Sequence, residues 1–179
     1  TDRGTYHAKA VINATDGEDA AWLLGGGRPE WSAQTTYWFS APRVRNGSLF
    51  AVSNAKSQRM GFLDMASVAP ARAPKKRSLI AVSSTGTGDN ISEDVARGEA
   101  ARVYNILKSE IQLVERTVVT RAVPKIQIPL RFTQATSRNG VYLAGDYLQT
   151  PSIQGAMVSG RRAAMAALYA IAKSEQILS

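Results

Sequence analysis

Gly145 and Asp146 close a short apolar run, and a long helical pattern opens a few residues later. Val141 to Ala144 follow the turn pair Asn139-Gly140 and read as a buried strand. Asp146, at its end, can accept hydrogen bonds from the hydroxyls of a ligand. Pro151 lies in the loop that follows, and Ser152 is placed to cap a helix running to about Lys173. The first turn of that helix carries Ile153, Gln154, Gly155 and Ala156, whose N–H groups and positive dipole end can hold negative charge. The site predicted from these residues is Gly145, Asp146, Ser152, Ile153, Gln154, Gly155 and Ala156. It suits a polyhydroxylated ligand with an electron-rich edge.

The helix itself is unusual in composition. Gly155, Ser159, Ala163 and Ala167 recur every fourth residue, as do Ala156, Gly160 and Ala164. Each glycine inside a helix costs roughly 1 kcal/mol relative to alanine. Such a stripe implies that another backbone or a flat group lies close against it.

The run GVYLAGDYLQTPSIQGAMVSGRRAA, from Gly140 to Ala164, resembles the C-terminal FAD-binding segment of the flavin amine oxidase superfamily. Phytoene desaturases and protoporphyrinogen oxidases belong to it. The strand ending Ala14-Thr15 resembles the point where that superfamily's chain leaves its FAD domain. The resemblance implies a mixed α/β chain, the C-terminal portion of a two-domain, glutathione-reductase-like FAD-binding fold. Residues 1–24 and 136–179 would belong to the FAD-binding domain, and residues 25–135 to an antiparallel-sheet substrate domain. It implies FAD as cofactor, with Asp146 near its ribityl or pyrophosphate region and Gly155 and Ala156 against its pyrimidine ring. It also implies hydride transfer from an apolar or amine-like small molecule.

Two departures point away from primary amines. The resemblance places an aromatic wall of the amine cage at Ser152, and a water-holding lysine on the strand 33–40, which has none. Thr150-Pro-Ser-Ile153 is more like the desaturase side. A third departure is larger, since no G-x-G-x-x-G strand–turn–helix for the ADP half of FAD occurs in the chain. Thr1 in place of Met also suggests a fragment or a processed product. The chain alone is therefore expected to be inactive and free of flavin. Its small-residue stripe is expected to pack on the absent nucleotide-binding unit. Without that unit, the chain should associate with itself or with a partner chain through the C-terminal helix. A non-catalytic remnant or partner-binding subunit is the alternative reading.

Composition closes other routes. Among 179 residues there is no cysteine and one histidine, His7, so thiol chemistry and a Ser-His-Asp triad have no support. No metal-ligand cluster is evident, no catalytic side chain can be named, and the chemistry has to come from a cofactor. A cysteine-free chain fits a reducing, cytoplasmic compartment. Lys and Arg number 22 against 14 Asp and Glu, a net charge of +8, but the basic residues are scattered. A solvated basic surface is the better reading than nucleic-acid binding. The apolar stretch 163–172 is too short to span a membrane.

The elements that must carry these residues follow from periodicity. Strands are predicted at 6–15, 33–40, 48–53, 77–84 and 115–121, and helices at 19–24 and 92–108. Residues 33–40 and 48–53 read as a hairpin pair, 57–74 as mostly loop, and Gly25-Gly26-Gly27 as a boundary. Asn90 with Glu93 makes a capping box for the second helix. Tyr37, Trp38, Phe39 and Tyr147 are candidates to line a pocket, with core packing the commoner role for such residues.

Overall fold

The structure, a computed structural model, describes residues 4–44, 50–55, 58–86, 91–125, 137–138 and 140–177. The first half of the chain runs β1 (Val11–Asn13), α1 (Gly17–Leu24), β2 (Trp31–Pro42), β3 (Phe50–Ala55), β4 (Gln58–Asp64), α2 (Met65–Val68) and β5 (Arg77–Thr85). The second half runs α3 (Glu93–Tyr104), β6 (Gln112–Pro124), β7 (Ser137–Arg138), β8 (Val141–Leu143) and α4 (Ile153–Ile177). It is a mixed α/β chain with an antiparallel sheet, and it divides into two compact units. One holds residues 1–30 with 123–179, the other residues 31–122.

The unit of residues 31–122 is built on a sheet of order β3-β4-β5-β2-β6. Strict alternation creates its core. Thr35, Tyr37, Phe39 and Ala41 turn inward from β2, while the residues between them stay partly exposed. Antiparallel registers set Phe39 opposite Ile80 and Tyr37 opposite Val82, with Phe62 of β4 on the far side of Val82. Helix α3 covers this face with Ala96, Ala100 and Tyr104, which its 3.6-residue period brings into line. Ser92 caps the helix by accepting the Val95 N–H, and Asn105 ends it in the left-handed conformation. The ring of Tyr104 meets Phe62 edge-on.

Several expectations are corrected here. Residues 58–68 were expected to be loop, but they form β4 and α2. As a result β3 pairs with β4, not with β2, and β2 pairs with β5. The first strand shrinks from residues 6–15 to Val11–Asn13, the three residues that pair with β8. The cap of α3 is Ser92, and the expected capping residue Asn90 lies outside the described residues. Tyr37 and Phe39, by contrast, take the core-packing role expected of such residues and stack on one another. Trp38 points to the opposite face and donates its ring N–H to Thr117.

The unit of residues 1–30 and 123–179 holds a three-stranded sheet of order β1-β8-β7. The pairing of β1 with β8 is parallel, with Val11 opposite Val141 and Asn13 opposite Leu143. Helix α4 lies against both strands. Its buried face is the small-residue stripe Gly155, Ser159, Ala163 and Ala167. This overturns the expectation that the stripe awaits an absent unit: the stripe is buried within the chain, where α4 lies against β1, β8 and the turn after β8. The outward face of α4 is the apolar one, with Ile153, Met157, Leu168 and Tyr169 exposed. Among the described residues no helix is long and apolar enough to cross a membrane.

Candidate functional site

Parallel pairing puts the carboxyl ends of β1 and β8 on one edge, where ligands of open α/β sheets bind. The Ala144 N–H donates to the Asn13 carbonyl at 2.9 Å and ties the two strand ends together. Asn13 then turns the chain: its side-chain oxygen accepts from the Thr15 N–H at 3.0 Å and the Thr15 hydroxyl at 2.7 Å. Asp16 caps α1, accepting from the Glu18 and Asp19 N–H groups, each at 2.9 Å.

On the neighbouring strand the Gly145 N–H donates to the Ser159 hydroxyl oxygen at 3.0 Å. Asp146, Tyr147 and Leu148 form a single 3-10 turn against α4. Glycine at 145 is a matter of space, because its φ of 169° is ordinary extended backbone. A Cβ there would lie 2.6 Å from Cδ1 of the Tyr147 ring. A Cβ at Gly17 would lie 2.9 Å from Cγ of the same ring and 2.7 Å from Cγ of Pro29. The Tyr147 ring is thus wedged between the start of α1 and the end of β8. Its hydroxyl is buried with no hydrogen-bond partner among the described residues. Burial, with the Asp146 and Asp16 carboxylates nearby, pushes the phenol's pKa up and keeps it neutral.

The predicted site residues fall into two groups. Gly145 and Asp146 are partly buried at the strand end, while Ser152, Ile153, Gln154 and Ala156 are exposed at the start of α4. Ser152 caps that helix as expected, its hydroxyl accepting the Gly155 N–H at 3.0 Å and its carbonyl accepting the Ala156 N–H at 2.9 Å. Gly155 stands apart. It is buried, and a Cβ on it would run into the Thr150 carbonyl, 2.9 Å from its carbon and 2.8 Å from Oγ1. The approach Gly155 permits is therefore that of its own preceding loop. Ser159, Asn13 and Asp16 were not singled out as site residues. Only the sequence Asn-Ala-Thr-Asp at the end of β1 hinted at the last two.

These residues suit a ligand with both hydroxyls and phosphates. The Asp146 carboxylate takes no hydrogen bond or ion pair from a described residue. The Ile153 and Gln154 N–H groups at the start of α4 likewise have no described acceptor. One free acceptor thus stands at the strand end, and two free donors open the helix that packs on it. Among the described residues no group of three acids or histidines is placed to hold a metal ion. His7 is exposed, outside any such cluster.

Comparison with known proteins follows this geometry. The family model of flavin-containing amine oxidoreductases matches residues 45–168, a span that includes β8, the Gly145-Asp146 turn and most of α4. No curated protein matches the chain. Among solved structures, the PF1083 protein from Pyrococcus furiosus aligns with a TM-score of 0.51 at 17% identity, covering 75% of this chain. At that identity the likeness is one of fold alone. This chain spans 31% of that protein's length. With more than half of its residues matched, the chain belongs to the family of flavin-containing amine oxidoreductases.

Proposed function

We propose that the chain is the C-terminal part of an FAD-dependent oxidoreductase that takes a hydride from an apolar or amine-like substrate. The unit of residues 1–30 and 123–179 would contribute one side of the FAD site, and the sheet of residues 31–122 would belong to the substrate domain. The observation that supports this reading is the Asp146 carboxylate, which no described residue engages, at a parallel strand end and beside a helix start, inside the family-matched span.

FAD, when bound, supplies the electron sink that no side chain of this chain offers. The chain's own residues would do the rest. Asp146 accepts from hydroxyls of the cofactor, and the Ile153 and Gln154 N–H groups stabilise negative charge at the helix start. Ser152 keeps its hydroxyl turned into the helix, which holds that first turn in place. The same serine, small and polar, puts no aromatic wall at this point, which favours oxidation or desaturation of a bulky apolar substrate over that of a primary amine.

The test is flavin content. Asp146→Ala in the complete protein should leave severalfold less flavin bound per polypeptide after purification, while the circular dichroism spectrum stays unchanged. Unchanged flavin content would remove Asp146 from the site. A complete wild-type protein that never binds flavin would favour a partner-binding remnant of the fold.

A further inference from the structure

Two glycines far apart in sequence make room for the two ends of one ring. A Cβ at Gly17 would lie 2.9 Å from Cγ of Tyr147 and 3.2 Å from Cδ1, at the root of the ring. A Cβ at Gly145 would run into Cε1 and lie 3.1 Å from Cζ, at the hydroxyl end. The hydroxyl is therefore held over the turn that carries Asp146, and the root of the ring over the start of α1. The oxygen is enclosed by the chain itself, without a hydrogen-bond partner among the described residues. Further polypeptide can add cover to such a group but cannot take it away. An enclosed, unpaired hydroxyl costs stability, and phenylalanine would fill the same space without that cost. The hydroxyl therefore serves something other than the stability of the fold.

Its use lies beside it. The backbone of the turn is already fixed. Ser159 holds the Gly145 N–H, the Leu148 N–H donates to the Gly145 carbonyl at 3.3 Å, and the Gln149 N–H donates to the Asp146 carbonyl at 3.0 Å. The Asp146 side chain is not fixed, since no described residue engages its carboxylate. Asp16, the other acid near the ring, is committed to α1, where its Oδ1 accepts from the Glu18 and Asp19 N–H groups. Burial first, then the charges of Asp146 and Asp16, holds the Tyr147 phenol above its ordinary pKa, so it stays protonated and can donate.

We infer that Tyr147 is the positioning residue of the candidate site: its hydroxyl donates to one oxygen of the Asp146 carboxylate when the cofactor is bound, and leaves the other oxygen for the cofactor's hydroxyls. This rests on the FAD reading above. Hydrogen bonds in a ligand-free site are often unmade and tighten only in the complex, which accounts for a donor and an acceptor on adjacent residues without a bond between them. The two glycines hold the ring, so the carboxylate is the part that turns.

Tyr147→Phe keeps the ring and removes only the donor. In the complete protein, stripped of flavin and titrated with FAD, it should bind about tenfold more weakly, the loss of one hydrogen bond to a charged group. The flavin-free variant should unfold at the parent's temperature or above it, a sign that a purely structural hydroxyl would not give. In an Asp146→Ala background the same substitution should change FAD affinity by less than about twofold, because the group through which it acts is gone. Parental affinity in Tyr147→Phe, with Asp146→Ala impaired, would overturn the inference and leave the FAD reading standing. An equal loss in both backgrounds would also overturn it, since the hydroxyl would then act without Asp146. So would a lower unfolding temperature of the flavin-free variant, which would place the hydroxyl's bond within the fold. A complete parent that binds no FAD would remove the cofactor reading, and the inference with it.

Discussion

The Gly145 N–H donates to the Ser159 hydroxyl across fourteen residues of sequence, at 3.0 Å, and so fixes the turn before Asp146 to the second turn of α4. Ser159 is buried. Ser159→Ala leaves the Gly145 N–H without an acceptor, which costs about 1–3 kcal/mol. The expected result is a lower midpoint of thermal unfolding, together with weaker flavin retention in the complete protein. Loss of stability with flavin binding intact would mean that the bond supports the fold and does not position Asp146.

Gly155 and Gly160 sit on the same helix, yet the same substitution should have opposite signs at the two. At Gly155 a Cβ meets the Thr150 backbone, and the 150–152 loop has to shift. Gly155→Ala is expected to destabilise by about 1–3 kcal/mol. At Gly160 nothing lies within 4 Å of the added carbon. There alanine removes only the entropic cost of glycine, a gain of about 0.5–1 kcal/mol. Denaturant midpoints of the two variants, measured against the parent, check both signs at once.

What the sequence showed and what it hid divide along physical lines. Strands β2 and β5 and helices α3 and α4 were legible because a single period runs through each, with Ser92 and Ser152 as caps. β4 was not legible, because its inward residues are Met60, Phe62 and Asp64, and a buried acid breaks an apolar alternation. Gly61 between them, and the prolines beyond, completed the appearance of a loop. Missing β4 then misassigned the hairpin, since Phe50–Ala55 was left with only β2 as a partner. At the site, Gly145-Asp146 and the capped helix could be read locally. The Ser159 bond, the wedge of Tyr147 between Gly17 and Gly145, and the tie from Ala144 to Asn13 all join residues far apart in sequence. No local pattern encodes them. The small-residue stripe was seen but given the wrong partner, because spacing tells that a face packs closely and not what packs on it.

Asp64 and Tyr104 set the response of the residue 31–122 unit to alkali. Asp64 is fully buried at the start of α2, where its carboxylate accepts from the Ala66 N–H at 3.1 Å and the Ser67 hydroxyl at 2.7 Å. The Tyr104 hydroxyl is buried with no hydrogen-bond partner among the described residues. Burial first, and the Asp64 charge second, push its pKa up to about 12 from an ordinary value of 10.0. In the unfolded chain the phenol loses its proton near pH 10, while in the folded chain it keeps it to about pH 12. Between those values the folded state binds more protons, so stability falls as pH rises through the window. Below the lower value the contribution is present in full. Tyr104→Phe should remove this part of the alkaline loss. It also deletes a buried hydroxyl that has no partner while keeping the ring against Phe62, so stability at neutral pH should change little or rise. Urea midpoints of parent and variant, followed from pH 8 to pH 12, should converge or cross in the variant's favour at the alkaline end. Parallel curves throughout would show that the Tyr104 hydroxyl titrates alike in both states.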